Sequence, residues 1–200
     1  MAGRHRRAPV SHEGRRPRRA KASSVEEIAN QGPVIFVCTG NIARSAFAEH
    51  QAARLMNAPE NFSSLGTAAA LGRGMHPAMS SFLSPEPRHE ARQATAKRLR
   101  EASLILGMAQ HHVDWIREEV PDLTGRTLLF SRCVKVLELE APQGPLTPEG
   151  IAHYVTAIPL LPVYLRDIKD PIKGGYEEFS SCAIEIDRGL RTILPWLSIP

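Results

Sequence analysis

The sequence predicts an α/β fold: a three-layer α/β/α domain built on a four-stranded parallel sheet, with a phosphate-binding loop after the first strand. Three observations predict it. The run VIFVC at Val34–Cys38 is wholly apolar and rich in β-branched residues, as a strand covered on both faces must be. From Pro33 onward, strand-like and helix-like segments alternate, the pattern of βαβ units. The closing segment Gly175–Leu197 places Phe179, Ala183, Ile186, Leu190 and Ile193 at helical spacing, and Pro195 limits it.

The elements follow in order. Residues 1–30 are rich in Arg, Ala, Ser and Pro and poor in large apolar side chains, so they read as a basic disordered arm; 31–200 form the domain. VEEIANQG, spanning that boundary, reads as a helical turn into the fold. After the Val34–Cys38 strand, SAFAEHQAARLM is a helix of strong formers. NFSSLGTAA is a short strand and turn, ATAKRLREA a helix, SLILGM a strand, QHHVDWIREEV a helix and RTLLFSR a strand. KVLELEAPQGPLTPEG, with its prolines and glycines, reads as loop, and IAHYVTAIPLLPVYL is ambiguous between states.

Composition narrows the class. Hydrophobic residues make up 42% and charged residues 23%, ordinary for a globular domain. No apolar run is long enough to span a bilayer, and no apolar segment follows the basic start as a secretory signal requires. Cys38, Cys133 and Cys182 are too few and too scattered for a disulfide framework, so a reducing cytoplasm fits best. The net charge of +4 is a property of the arm, which holds eight Lys/Arg and one acid in residues 1–22. Taking these from 25 basic and 21 acidic residues leaves 17 and 20, a charge near −3. The arm leaves nucleic acid open as a partner, but no aromatic residues interleave its arginines to stack on bases, which disfavours it.

The chemistry gathers after the first strand. Ligands of open α/β sheets bind beyond the carboxyl ends of strands. Cys38 stands at such an end, and Thr39–Ala43 then lead into a helix starting near Arg44 or Ser45. A helix N-terminus attracts anions. Gly40 permits unusual backbone angles and Asn41 tolerates the left-handed region, so successive N–H groups can turn inward. Arg44 offers a planar fork for two phosphate oxygens, and the same positive surroundings favour a thiolate. Ser45 can donate a hydrogen bond to that sulfur. Spacing alone is weak evidence: Cys182 and Arg188 share it in CAIEIDR, on a helical pattern without glycine.

VCTGNIARS closely resembles the active-site loop of low-molecular-weight protein tyrosine phosphatases, V-C-x-G-N-x-x-R-S, a fold shared with thiol-dependent arsenate reductases. The resemblance continues through SLGT (Ser64–Thr67), HEARQ (His89–Gln93), SLILGM (Ser103–Met108) and DP (Asp170–Pro171), covering about residues 33–195. It implies Cys38 as nucleophile and Arg44 as phosphate clamp, with the backbone of Thr39, Gly40, Asn41, Ile42 and Ala43 binding phosphate. Asn41, Ser45, Ser64 and His89 match the family's loop-supporting network, and Asp170 matches the general acid. From the residues alone, Asp170 reads more readily as a solvated turn aspartate, with Asp167 a neighbour that lacks the following proline. The resemblance implies a phosphatase acting through a cysteinyl-phosphate, without metal or cofactor. Its substrate would be a phosphorylated protein, phosphotyrosine foremost, or a small phosphoester.

Departures from the family pattern sharpen the expectation. Ala43 stands where many members carry a second cysteine beside the nucleophile. Ile172, Lys173 and small aliphatics stand where tyrosine-directed members often place aromatics. Ile42 resembles the tyrosine-directed branch, whereas a bacterial arginine-phosphatase branch tends to have threonine there. Leu137–Val163 departs from the family and reads as an insertion near the acid loop. His111 and His112 are adjacent on a helix, so they are expected to point apart and not to form a metal site. His76–Pro77, Trp115, Phe179 and Trp196 are read as structural. Two rivals stand beside the phosphatase. One is an arsenate reductase, which needs two further cysteines close to the loop, whereas Cys133 is expected at a strand end and Cys182 on a helix. The other is a weakly catalytic phosphoprotein-binding module.

Overall fold

Strand β1 (Val34–Cys38) is buried at every position, and it lies inside the sheet rather than at an edge. It pairs in parallel with β2 (Phe62–Gly66) on one side and β3 (Leu104–Gly107) on the other; β4 (Thr127–Leu129) adds to β3. The order is β2-β1-β3-β4. The computed structural model describes residues 32–159 and 165–200. The basic arm at 1–30, most of VEEIANQG and residues 160–164 of the ambiguous stretch lie outside the described residues.

The period-two alternation of β1 feeds two cores. Val34, Phe36 and Cys38 face one; Ile35 and Val37 face the other. The first core is closed by α1 (Arg44–Met56), the short α2 (Pro77–Ser80), α5 (Phe130–Leu139), α6 (Pro148–Ala157) and α7 (Tyr176–Ile193). The second is closed by α3 (Ala96–Arg100), α4 (Gln110–Glu119) and the 3₁₀ turn Pro121–Arg126. These are the three expected layers. Helix α7 buries Phe179, Ala183, Ile186, Leu190 and Ile193, the stripe its periodicity marks. Gly189 allows α7 to approach α5 closely, since a Cβ there would meet the Phe130 ring at 2.5 Å.

The third quarter of the chain differs from the expectation. RTLLFSR is strand only to Leu129; a helix starts at Phe130 and runs to Leu139. Phe130, Cys133, Val136 and Leu137 recur at helical spacing and are all buried, so periodicity outweighs the β-branched residues. Cys133 therefore sits inside α5 and not at a strand end. The expected loop KVLELEAPQGPLTPEG is helical at both ends. Thr147 Oγ1 accepts from Gly150 N at 3.1 Å and Pro148 occupies the first turn, which starts α6. Ile151, Ala152 and Val155 then enter the core, and Arg132 donates to the Val155 and Ile158 carbonyls at the helix end. Among the described residues, no helix is long and apolar enough to cross a membrane.

Candidate active site

The loop between Cys38 and Arg44 is shaped from outside. Each of its carbonyls is claimed by a surrounding donor. Cys38 O accepts from Thr67 N (2.9 Å), Thr39 O from Ala68 N (3.0 Å) and Gly40 O from Ala70 N (2.9 Å). Asn41 O accepts from His89 Nε2 (2.7 Å), Ile42 O from His76 N (2.7 Å) and Ala43 O from Phe47 N (2.8 Å). With the carbonyls turned out, the N–H groups are left to the concave side, which is an anion nest. Gly66 permits the surrounding loop to come this close: a Cβ there would lie 2.5 Å from Thr39 O. Helix α1 adds to the effect. Ala43 at its N-cap offers no side-chain acceptor, so the first-turn N–H groups stay available to a ligand. The left-handed residue of the loop is Asn41, at φ 54°; Gly40 is not in that region, contrary to the expectation.

Cys38 Sγ lies at the base of the nest. Asn41 N donates to it at 3.3 Å, and Ser45 Oγ is 2.9 Å away. Asn41 Nδ2 donates to Ser45 Oγ (3.0 Å) and Ser64 Oγ (2.7 Å). Ser64 donates to Glu49. Ser45 Oγ lies 2.9 Å from Cys38 Sγ and 3.4 Å from Leu65 O, so its hydrogen can reach either, and it is placed to donate to the sulfur when the sulfur is a thiolate. Asn41 Oδ1 takes Arg92 N at 2.8 Å. Asn41 and Ser64 are fully buried, so these bonds are not contested by water.

Arg44 is 3% exposed and reaches across the nest. Its guanidinium donates to Ile168 O (3.1 Å) and pairs with Asp170 Oδ2 at 2.6 Å, while its Nε–H has no partner among the described residues. Cys38, Thr39, Gly40, Ile42, Ala43, Arg44, Asp170 and Ile172 enclose a cleft of about 180 Å³. The acid loop is moored to the sheet by Ile168 N, which donates to Met108 O at 2.8 Å. Gly174 N returns to Pro171 O at 2.8 Å, the tight return its glycines suggest. Asp167 is placed elsewhere: its Oδ1 accepts from Gln110 N at 2.7 Å and so caps α4. Cys182 and Arg188 lie within α7, outside the loop.

Sequence reasoning missed part of the support. Arg92 is bidentate to Glu49 at 2.7 Å, and Gln93 bridges Thr67 O and Ala69 N. HEARQ and the helix-facing position of Glu49 carried this signal. His50 Nε2 lies 3.2 Å from His89 Nδ1. Since His89 Nε2–H donates to Asn41 O, its Nδ1 accepts from His50. Burial lowers the pKa of both histidines, which keeps these neutral donor and acceptor roles. Glu49, His50 and His89 cluster closely enough to suggest a cation site, but Glu49 is already committed to Arg92 and Ser64. The cluster is a brace behind the loop.

His112 is the larger omission. The rings of His111 and His112 do not point apart; their centroids are 3.9 Å apart. His112 is fully buried and contacts Thr39 of the nest at 3.0 Å. His76 also does more than expected, stacking on Phe179 at 4.4 Å while its N–H holds Ile42 O.

Fold and site together define a class: an α/β/α domain whose strand–loop–helix junction forms a nest of backbone amides above a cysteine sulfur. Residues 33–142 match the family profile described as low molecular weight phosphotyrosine protein phosphatase. The chain is 32% identical over 113 residues to the low-molecular-weight protein-tyrosine-phosphatase Wzb of Salmonella typhimurium, covering 54% of this chain and 75% of that protein. In structure it resembles Wzb from Escherichia coli K30 in complex with phosphate, with TM-score 0.63, 20% identity, and coverage of 89% and 100%. It likewise resembles the YwlE arginine phosphatase of Geobacillus stearothermophilus, with TM-score 0.61, 22% identity, and coverage of 80% and 89%. The structural likenesses show the fold; the sequence matches show the family. The chain belongs to the low-molecular-weight phosphotyrosine protein phosphatases, and is a cysteine-dependent phosphatase that works through a cysteinyl-phosphate.

Proposed function

We propose that Cys38, Arg44 and Asp170 carry the reaction and that the substrate is a phosphotyrosine side chain of a protein. The observation that supports this most is the capture of five loop carbonyls, Cys38 to Ile42, by donors outside the loop and its helix, which leaves the amides other than Asn41 N to one phosphoryl group above Cys38 Sγ. Arg44 is paired with Asp170. An incoming phosphate takes the Arg44 fork, including the unpartnered Nε–H, and frees the carboxyl group. The freed carboxylate takes up a proton from solvent, the Cys38 thiolate attacks phosphorus in line as the P–O bond to tyrosine breaks, and Asp170 passes that proton to the leaving oxygen. The S–P bond is cleaved next by water, whose proton returns to Asp170, and Ser45 supports the departing sulfur. Ile42 and Ile172 form apolar walls for an aryl ring in place of aromatic ones.

The arsenate-reductase reading finds little support here. Burial pushes the thiols of Cys133 and Cys182 up to about 12, so neither is a ready thiolate for a dithiol cascade. We place catalysis in residues 31–200, with the arm at 1–30 dispensable for chemistry, and the enzyme in the cytoplasm. The test is turnover of phosphotyrosine, phosphoserine, phosphoarginine and arsenate by the full chain and by one starting at Gln31. Phosphotyrosine should be preferred, Cys38→Ser should abolish turnover, and both chain lengths should behave alike. Preference for phosphoarginine, or a Cys38→Ser protein with a tenth of normal activity, would overturn the reading.

A further inference from the structure

His112 is buried, lies outside the loop's own segment, and takes no part in the bond changes at phosphorus. Its contacts form a chain with only one proton order. Ala109 N lies 3.0 Å from His112 Nδ1, and a backbone amide can only donate. Nδ1 therefore presents its lone pair. The ring is fully buried, and burial, then His111 and Arg44, lower its pKa to about 3. It is neutral, and its single N–H is on Nε2. That N–H points at Thr39 Oγ1, 3.0 Å away, so the hydroxyl accepts there. The Thr39 hydroxyl hydrogen must then go elsewhere. Thr39 Oγ1 has no other hydrogen-bond partner among the described residues, and Thr39 lines the cleft above Cys38.

We infer that His112 is a positioning residue that turns the Thr39 hydroxyl hydrogen toward the cleft, so that Thr39 Oγ1 donates to an oxygen of the bound phosphoryl group. The inference rests on the phosphatase reading above and adds one side-chain donor to the backbone nest. A free threonine hydroxyl can rotate between donating and accepting. With His112 Nε2–H on one lone pair, the Thr39 hydrogen cannot point back at His112 and is left to an oxygen arriving in the cleft. That ordering is set before the substrate arrives, which is what electrostatic preorganisation requires. The donor lies in a loop otherwise composed of amides, so it extends the nest toward the His112 side of the cleft.

The two residues should behave as one unit. Thr39→Val keeps the shape and removes the hydroxyl. It should lower kcat/KM and weaken competitive inhibition by inorganic phosphate, each by about tenfold to a hundredfold, the usual worth of a hydrogen bond to a charged group. Thr39→Ser should restore both to within about threefold. His112→Leu should reproduce the valine loss, because Thr39 can then turn its proton away. His112→Gln should recover most of it, since an amide can accept from Ala109 N and donate to Thr39. The double variant Thr39→Val with His112→Leu should be no worse than Thr39→Val alone. Losses that add in full would show a purely structural role for His112 and overturn the inference. So would Thr39→Val with normal kcat/KM and normal phosphate inhibition. If His112→Leu fails to fold, the Thr39 pair and His112→Gln still decide the matter. Loss of activity in Cys38→Ser, measured alongside, separates failure of this inference from failure of the phosphatase reading.

Discussion

Asn41→Ala should unfold the site as much as disable it. Asn41 is fully buried and sits at φ 54°, where alanine costs about 1–2 kcal/mol. The substitution also removes three side-chain bonds: to Ser45 Oγ at 3.0 Å, to Ser64 Oγ at 2.7 Å, and from Arg92 N at 2.8 Å. At about 0.5–1.5 kcal/mol each they contribute roughly 1.5–4.5 kcal/mol. The sum is about 3–6 kcal/mol, which for a protein of this size lowers Tm by roughly 6–24 °C. Asn41→Gly has no left-handed penalty, so it should be milder by about 1 kcal/mol. Turnover should fall with both, because Ser45 and Ser64 lose the side chain that fixes their hydroxyls beneath the loop. Thermal unfolding of the two variants, with and without inorganic phosphate, measures the effect. An Asn41→Ala protein melting within about 2 °C of the parent, the low end of what 1 kcal/mol would cause, would refute the network argument.

Three further outcomes are expected. In single-turnover kinetics, Asp170→Asn should slow the tyrosine ester by about 10²–10⁴ and an ester of a much more acidic phenol far less, whereas Asp167→Asn should show no dependence on leaving group. Acid should destabilise the parent more than His112→Gln. An unfolded histidine takes a proton near 6.5 and His112 only near 3, so the unfolded chain binds more protons between these values and stability falls with pH. By pH 5 the difference should reach about 2 kcal/mol in urea unfolding; equal pH sensitivity would show that His112 is not neutral in the fold. Brief peroxide treatment should carry Cys38 to sulfenic and higher acids without a disulfide, since Ala43 has no thiol and Cys133 is enclosed in α5; mass spectrometry of a Cys38–Cys133 or Cys38–Cys182 bridge would contradict the placement.

What was legible in the sequence was what local pattern determines. An uninterrupted apolar run marks β1, and 3.6-residue periodicity marks α7. The loop was legible because a cysteine, glycine, asparagine, arginine and serine at fixed spacing leave few chemical roles open. What was not legible depends on long-range contact. Nothing local to Thr39 shows that His112, 73 positions later, will meet its hydroxyl. Asp167 and Asp170 differ by a following proline in sequence, but by position in the fold: one caps α4, the other faces Arg44. The α5 and α6 boundaries failed for a different reason. Proline and glycine at 142–150 were read as loop throughout, although Thr147–Pro148 is itself a helix start.

The Arg44–Asp170 pair sets the terms on which the site fills. At 2.6 Å it satisfies a guanidinium that is almost entirely buried. Substrate must therefore displace a carboxylate from the group it needs, and must do so while carrying negative charge toward that carboxylate. Asp170→Asn removes both obstacles. It should bind inorganic phosphate more tightly than the parent even as it slows turnover. The Asp170 side chain is 47% exposed, so water screens the pair and its worth is held to about 1 kcal/mol, or roughly a fivefold gain in affinity. Titration calorimetry with phosphate at neutral pH reads this directly. Weaker phosphate binding in Asp170→Asn would mean that the carboxyl group helps to hold the anion instead of competing with it. The exchange of Arg44 from carboxylate to phosphate would then have to be abandoned as the first step of binding.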